Sequence, residues 1–539
     1  MGESEERIFL RDATGLVREA GWTDILTFAS LNMSWGLSAM WLILWGPWYG
    51  PGGSLILGTL LVVIPMIFGS LVWAFMATIM PRSGGDFIFN SRALHPLLGF
   101  ISSLGWVAVN FIWCAVLAAY IPEQGIAPLL YIAGFESAAE WILSSGGVFI
   151  ISAIIIVASA ALLLFGMKPY LWGQKILFGF GILMFIILFG IFAANDNADF
   201  IAAWNAVAGA GNYEAISAEA PGYMASEYGY TSLAFSFPMT LALIPVAFWG
   251  IGYPYFAAYV AGETKRVERS ALIGIPGGLI LCGLSWIILI PLVQKVVSYE
   301  FLTYAAFAYG DGLSSYTLPF APMYHVFGIL LTPNSMLRFL IGWGYICWLL
   351  IYPLYSILGQ TRIALAWAFD RQAPSLFGDV SEKWHTPVKS TIFFTVGGLI
   401  FLVLYSFVIH DMLAGFSAMV PQIMTVFMIT AIAAIVLPYR KRTKALYEAS
   451  PASKYKIGSI PFITICGVIY FGILAVCLYY YFSNPWLGAW DPTDPIKMTA
   501  FYTIIAVFVF GIIYYFINRA YWRRKGIDIE LAAKELPPE

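Results

Sequence analysis

The sequence predicts an all-α polytopic membrane protein with twelve transmembrane helices. Of its 539 residues, 60% are hydrophobic and only 11% are charged, whereas roughly a quarter of the residues of a soluble globular protein are charged. The apolar residues form blocks of about 18 to 28, long enough to cross a hydrocarbon core of about 30 Å. Lipid offers no partner to backbone polar groups, so these blocks are predicted to be helices. The net charge of −2 argues against a nucleic-acid partner.

Polar residues separate the apolar blocks and set the predicted span boundaries. The even number of blocks places both chain termini on the same side of the membrane. The predicted spans cover residues 22–46, 53–80, 97–122, 146–166, 172–194, 237–261, 271–297, 337–369, 390–409, 412–437, 460–483 and 497–519.

The basic residues test this count. Of the 28 Lys and Arg residues, all but Lys295, Arg338 and Lys497 fall in segments that the predicted spans place on the side of the N-terminus. Short cytoplasmic segments carry an excess of Lys and Arg. Both termini are therefore predicted to be cytoplasmic, in a multi-pass protein of the cytoplasmic membrane.

Two spans contain polar or glycine-rich interruptions, as in transporters whose discontinuous helices bind solute near the midplane. The first holds Asn32 to Ser38 and the sixth holds Phe248 to Pro254, where Pro254 disfavours a regular helix through the preceding turn. Each interrupted span begins a unit of five helices. Because five is an odd number, the second unit enters the membrane from the opposite face and is inverted relative to the first. From the pattern alone, simple kinks explain the two interruptions equally well.

Several motifs occur in a fixed order from about residue 16 to 440. They are Leu16–Asp24, Met80–Phe87 with Ser91–Pro96, Gly262–Lys265, Gly359–Arg362 and Thr386–Val388. Together they resemble the amino acid–polyamine–organocation (APC) superfamily of amino acid permeases. The resemblance implies the LeuT fold, in which two inverted five-helix repeats are followed by two further helices.

The resemblance and the spans together predict the organisation of the chain. A cytoplasmic N-terminal segment is followed by two repeats, an extracellular loop between them, and a C-terminal pair of helices. The predicted parts are 1–21 (N-terminal segment), 22–194 (first repeat), 195–236 (extracellular loop), 237–437 (second repeat, with the outer loop 298–336), 438–459 (cytoplasmic loop), 460–519 (helices eleven and twelve) and 520–539 (cytoplasmic tail).

The resemblance also implies a substrate site. Backbone N–H groups of the first interruption would bind a carboxylate, and carbonyls of the sixth would accept an α-ammonium group. Tyr253 corresponds to an aromatic lid, and Asn110 on the third span is either a substrate contact or a link between helices. The implied substrate residues are Ser34, Trp35, Gly36, Leu37, Ser38, Trp249, Gly250, Ile251, Gly252, Tyr253 and Asn110. The family's glycine-rich string is reduced here to Gly36.

The coupling ion is left open between H⁺ and Na⁺. Some proton-coupled relatives carry a lysine deep in the fifth helix, where this sequence has Gly181. Sodium-coupled relatives pair hydroxyls of the eighth helix with carbonyls of the first, which implies a site at Ser356, Ala29 and Asn32. Alternatively, the Ser356 hydroxyl bonds to its own preceding turn. Beyond such an ion we expect no metal and no cofactor.

Four charged residues flank the predicted cytoplasmic helix ends. Arg18, Glu263, Arg362 and Asp370 are candidates for a gate of ion pairs. The alternative is that they are ordinary juxtamembrane charges in water, where each pair contributes little.

The sequence thus predicts a secondary transporter of amino acids that works by alternating access, by symport or by exchange. No carboxylate lies within the interruptions, which favours neutral L-amino acids over the alternative substrates, a polyamine or another organic cation. A non-transporting sensor and a membrane enzyme are the rival classes. We expect no catalytic residues, because the histidines, including His410 beside Asp411, lie in predicted loops or interfaces. The expected partners are the small substrate and the lipid bilayer, and the oligomeric state is left open.

Overall fold

The computed structural model describes residues 15–409, 419–483 and 490–536. Within them, ten helices are long and apolar enough to cross a membrane, and one bent pair adds an eleventh if it is a single span. The described residues form only one two-stranded sheet. An all-α polytopic membrane protein is therefore confirmed. The dipeptide His410-Asp411, Arg7, Arg11 and the start of the tenth predicted span lie outside the described residues.

The helices follow the predicted spans with additions in the loops. In chain order they are α1 (Trp22–Met33), α2 (Trp35–Tyr49), α3 (Leu55–Ile79), α4 (Asp86–Ala93), α5 (Pro96–Tyr120), α6 (Ala127–Ile132), α7 (Glu136–Leu143), α8 (Ser145–Leu164), α9 (Met167–Ala194), α10 (Asn197–Ala208), α11 (Asn212–Tyr228), α12 (Phe237–Ala242), α13 (Ile244–Ile251), α14 (Val267–Val297), α15 (Tyr299–Gly310), α16 (Tyr324–Leu330), α17 (Ser335–Phe369), α18 (Val388–Phe407), α19 (Val420–Val436), α20 (Lys441–Ala449), α21 (Phe462–Ser483) and α22 (Pro495–Arg524).

Short irregular elements complete the chain. A π-helical segment, Ile121–Ile126, joins α5 to α6, and a 3₁₀ helix, Pro254–Glu263, follows α13. The strands β1 (Lys456–Ile457) and β2 (Ile460–Pro461) pair antiparallel between α20 and α21. Shorter 3₁₀ turns occupy Ser375–Gly378, Pro451–Lys454 and Leu531–Lys534.

Two predicted spans consist of consecutive shorter elements. The first is α1 followed by α2, of 12 and 15 residues. The sixth is α12, α13 and the 3₁₀ helix Pro254–Glu263, which together are almost completely buried. Burial on all sides explains why these sequences are apolar without a polar face.

One end of the helix bundle, which we call the basic end, holds segments 15–21, 80–95, 263–266, 370–387, 437–461 and 525–536. Backbone bonds tie the first of these to the end of the sixth span, since the N–H groups of Glu19 and Ala20 donate to the carbonyl of Glu263 (2.9 and 3.0 Å). Arg440 donates to the carbonyl of Ala93 at 2.6 Å. Most of the chain's basic residues lie at or near this end.

The opposite end, which we call the acidic end, is covered by segments 195–236 and 298–336. They contain seven Asp and Glu residues and no Lys or Arg. The sequence analysis treated both as loops, but the structure builds α10, α11, α15 and α16 from them. Two hydrogen bonds join the two segments. The side-chain amide of Asn212 donates to the carbonyl of Ser315 at 2.7 Å, and the hydroxyl of Thr317 donates to the carbonyl of Ala208 at 2.6 Å.

Candidate functional site

The first interruption is a single left-handed residue. Ser34 has φ 43° and ψ 72°, a region that costs a non-glycine residue about 1–2 kcal/mol. Its hydroxyl donates to the carbonyl of Trp348 on α17 at 2.8 Å, which holds the turn in place. The helix α2 starts directly afterwards, so the N–H groups of Trp35, Gly36 and Leu37 lie in its first turn, where helical N–H groups have no intrahelical partner. These donors and the positive end of the helix dipole suit a carboxylate.

The second interruption ends α13. The N–H of Gly252 donates to the carbonyl of Phe248 at 2.8 Å, and Tyr253 then leaves the helix with φ −117° and ψ 38°. Pro254 opens the 3₁₀ helix that follows. The carbonyls of Trp249, Gly250 and Ile251, at the end of α13, therefore lack intrahelical partners. They carry the negative end of the helix dipole, which suits an ammonium group.

Close packing brings the two interruptions together. A Cβ on Gly250 would lie 2.7 Å from Cβ of Ser38 and 2.5 Å from the Trp286 ring, so only glycine allows this approach of α13 to α2. The N–H of Phe256 donates to Oδ1 of Asn32 at 3.3 Å, which links α1 to the 3₁₀ helix. The two half-helix ends thus face one region of the core.

A small cavity lined by buried residues, which we call the closed cavity, lies in this region. Its volume of about 10 Å³ accommodates about one water molecule, so an amino acid would enter only after side chains or helices move. The cavity is lined by Asn32, Trp113, Leu117, Trp249, Tyr253, Tyr352 and Tyr355. Asn32, Trp249 and Tyr253 were predicted from the sequence as site residues, whereas Leu117, Tyr352 and Tyr355 were not. The spacing of three between the two tyrosines, which places them on one face of α17, is the signal that could have found them.

The side chains of several predicted substrate residues do not line the closed cavity. Trp35 stacks on Trp348 with ring centroids 5.4 Å apart, away from the closed cavity. Asn110 is buried, donates to the carbonyl of Trp106 in its own helix at 2.9 Å, and is not among the lining residues. Leu37 is completely buried and does not line the cavity. For Trp35 and Leu37, backbone N–H groups rather than side chains remain the candidates.

Two stacked indoles stand between the closed cavity and a larger one. Trp41 on α2 and Trp249 on α13 have ring centroids 4.5 Å apart at 26°. Trp249 lines the closed cavity, whereas Trp41 lines a cavity of about 530 Å³ towards the acidic end.

Two buried ion pairs lie at the basic end. Arg362 donates to both carboxylate oxygens of Glu263, at 2.9 and 2.8 Å, and both side chains are at most 4% exposed. Asp370 pairs instead with Arg92, at 2.6 and 3.0 Å, a partner that the sequence analysis had not assigned. Charges buried in this way are not ordinary charges in water. Arg18, the fourth predicted member, is exposed.

A third polar group at this end is a buried carboxylate on α4, outside the membrane-length helices. Tyr259 donates to Oδ1 of Asp86 at 2.5 Å and Ser102 donates to Oδ2 at 2.7 Å. Burial raises the pKa of Asp86 to about 6, and the two hydrogen bonds only partly offset it. This residue belongs to the motif after the second span, for which the sequence analysis had proposed no role.

The candidate ion residues differ in their surroundings. Ser356 is completely buried, and its hydroxyl makes no hydrogen bond to any described residue, so the alternative bond to its preceding turn is not formed. Gly181, where some relatives carry lysine, leaves room for the Trp348 indole, since a Cβ there would lie 2.5 Å from that ring. Lys175 is half-exposed and bonds to Asp24 at 2.7 Å. Among the described residues, no cluster of three His, Cys, Asp or Glu side chains could hold a metal ion.

A helical membrane protein with two interrupted helices around a closed central cavity has the architecture of a small-solute permease. The sequence matches the amino acid permease family over residues 27–510. The chain belongs to that family, which lies within the APC superfamily and is consistent with the LeuT fold. No curated protein matches the sequence. Family membership points to a transporter of amino acids rather than to an enzyme.

Proposed function

We propose that this chain is a secondary transporter that moves neutral L-amino acids across the cytoplasmic membrane by alternating access. The observation that carries the proposal is the meeting of the N-terminus of α2 with the C-terminus of α13. A carboxylate and an α-ammonium group are a few ångströms apart in every amino acid. Two half-helix ends of opposite polarity that pack against each other complement that pair of charges.

The lining of the closed cavity favours a neutral side chain. Apart from the amide of Asn32, the lining side chains are aromatic or aliphatic, and none is acidic or basic. A charged substrate side chain placed there would lose its hydration without gaining a counter-ion. Aromatic rings instead offer apolar surface and, in Tyr253, a hydroxyl that makes no hydrogen bond to any described residue.

The proposed topology has twelve spans in two five-helix repeats, 22–194 and 237–437, followed by helices eleven and twelve. In it α1 and α2 form the first span, and α19 forms the tenth. The basic end is cytoplasmic, because Lys and Arg are concentrated there. In this topology the Glu263–Arg362 and Arg92–Asp370 pairs close the cytoplasmic side, and they separate when the cavity opens inward.

For the driving ion, Na⁺ is one of three alternatives. The unbonded hydroxyl of Ser356, with the carbonyls of Ala29 and Asn32, offers hard oxygen ligands of the kind that Na⁺ prefers. Proton symport and exchange are the alternatives.

Uptake into proteoliposomes tests the proposal. A panel of labelled neutral, acidic and basic amino acids is offered with pH and sodium gradients imposed in turn, and neutral amino acids should accumulate. The variant Tyr253→Ala should lose most uptake, whereas Tyr479→Ala, at a tyrosine 66% exposed on α21, should transport normally. Specific binding of an amino acid without flux under any gradient would instead identify a sensor.

A further inference from the structure

A second cavity lies at the acidic end and is not the proposed transport site. It measures about 530 Å³, within the range of small-molecule binding sites. The stacked pair of Trp41 and Trp249 separates it from the closed cavity. Its lining includes one carboxylate, Glu123, and six aromatic side chains, Trp41, Trp45, Tyr120, Tyr309, Phe320 and Tyr405.

The carboxylate is placed by an irregularity in the third span. Glu123 lies in the π-helical segment Ile121–Ile126, directly after Pro122, where the regular helix of α5 ends. Single π-helical turns occur often at functional sites, because they turn a side chain out of helical register. The hydroxyl of Tyr405 on α18 contacts both carboxylate oxygens at 3.1 Å, which fixes the group at the cavity wall.

Among the described residues, no cationic side chain lies beside the Glu123 carboxyl. Glu123 forms no salt bridge with any described residue, and no Lys or Arg lines the cavity. The two segments that cover the acidic end carry seven further carboxylates and no Lys or Arg. Charges of one sign around a cleft raise the local concentration of the opposite ion. An organic cation in the cavity would therefore favour the ionised form of the Glu123 carboxyl over the protonated one.

We propose that this cavity is a binding site for a small organic ammonium ion, with Glu123 as its counter-ion and the surrounding aromatic rings as its walls. A single carboxylate is a poor site for Ca²⁺ or Mg²⁺, which need six or more oxygen ligands. Aromatic faces, in contrast, attract alkylammonium groups through their π-systems. Trp41 belongs to both the cavity wall and the stacked pair. A bound cation would therefore contact the indole pair that separates the two cavities.

The proposal goes beyond amino acid transport and concerns a separate site. The sequence analysis favoured neutral substrates because the interruptions contain no carboxylate. Glu123 lies outside both interruptions. In the sequence it directly follows the predicted span 97–122, where a polar residue is ordinary. An organic cation would thus bind above the transport site without entering it.

Equilibrium binding to the full-length protein in nanodiscs tests this site. The probe is radiolabelled 1,4-diaminobutane, with 1-butanol as an uncharged competitor. Glu123→Gln should weaken binding at least about tenfold, Trp45→Leu should weaken it several-fold, and 1-butanol should not compete. Glu123→Asp keeps the charge and should retain part of the affinity. The matched control Glu214→Gln removes an exposed carboxylate of the same end and should bind as the wild type does.

Two results overturn the proposal: wild-type affinity in a folded Glu123→Gln variant, or an equal loss in Glu214→Gln, which would indicate general surface attraction. Thermal unfolding establishes that each variant is folded. Amino acid flux by the wild type is measured separately. Amine binding without any flux would contradict only the proposed transport, and flux without amine binding would contradict only this site.

Discussion

The indole of Trp348 lies against the α-carbon of Gly36, and a Cβ at that position would be 2.5 Å from Cδ1 of the ring. The same indole covers Gly181 on α9 at an equal distance and stacks on Trp35. One side chain of α17 therefore packs into two helices at positions that have no side chain. The single glycine of the first interruption is explained by this contact as well as by the proposed carboxylate site.

Replacing Gly36 with alanine should destabilise the protein. The added methyl group must displace a completely buried indole, and overpacking of this kind costs about 1–3 kcal/mol. The thermal unfolding temperature of the purified variant measures the effect. The matched control is Gly190→Ala on α9, where a Cβ would meet nothing within 4 Å and where alanine favours the helix.

A double variant separates packing from substrate binding at Gly36. Trp348→Ala removes the ring that the methyl group meets, so the two substitutions together should cost less than the sum of their single effects. If Gly36→Ala unfolds at the wild-type temperature, the tight contact is not present in the protein. If the effects simply add, the two residues do not interact.

Neutralising one member of the Glu263–Arg362 pair should be costly. The partner left behind is a buried charge without compensation, and such losses are about 3–5 kcal/mol. We expect Glu263→Gln and Arg362→Gln each to lower the unfolding temperature and to abolish uptake. The exchanged pair Glu263→Arg with Arg362→Glu should recover part of both.

An exposed pair provides the control for this experiment. Lys389 bonds to Asp379 with both side chains more than half exposed, and such pairs contribute less than about 1 kcal/mol. Asp379→Asn and Lys389→Gln should therefore leave stability and uptake close to wild type. Equal effects at the two pairs would show that burial does not set the strength of the Glu263–Arg362 interaction.

The buried carboxylate of Asp86 should make stability depend on pH. Its pKa is raised from 3.8 to about 6 in the folded protein, so the folded state holds the proton more tightly than the unfolded chain. The stabilisation that comes from protonated Asp86 is complete below about pH 4 and is lost as the pH rises to about 6. A shift of this size corresponds to about 3 kcal/mol.

The variant Asp86→Asn isolates this contribution, because it cannot titrate. The unfolding temperatures of the wild type and the variant are measured from pH 4 to pH 7. The value for the wild type minus that for the variant should increase as the pH falls. A difference that is constant with pH would mean that Asp86 titrates outside this range.

The interruptions could be predicted from sequence because their causes are local. Asn32 to Ser38 place polar residues inside an apolar block, and Pro254 cannot continue the helix that Gly252 ends. The Arg92–Asp370 pair could not be predicted in this way, because its members are 278 residues apart. Charge counting assigns both to one side of the membrane without saying which residues meet.

The lining of the cavities was also beyond a single sequence. The protein has 31 Tyr and 20 Trp residues. The spacing of three places Tyr352 and Tyr355 on one face of α17, but it does not show that this face lines a cavity rather than packing against a neighbouring helix. Asn110 attracted a functional interpretation because an amide is rare in an apolar helix, yet its donor is used by the preceding turn. Glu123 was missed because the π-helical turn that directs it inward has no sequence signature beyond Pro122.

The unbonded hydroxyl of Ser356 allows sodium binding to be tested without a transport assay. A ligand that binds only the folded state raises its stability in proportion to the logarithm of its concentration. If Na⁺ binds at Ser356, replacing K⁺ with Na⁺ should raise the unfolding temperature of the wild type but not of Ser356→Ala. In K⁺ alone the variant should be as stable as the wild type, because no hydrogen bond to a described residue is lost. Ser406→Ala on α18 is the matched control, since it removes another buried hydroxyl without such a bond and should keep the sodium effect. A sodium effect that persists in Ser356→Ala would place the ion elsewhere, and no effect in the wild type would leave proton coupling or exchange as the driving mechanism.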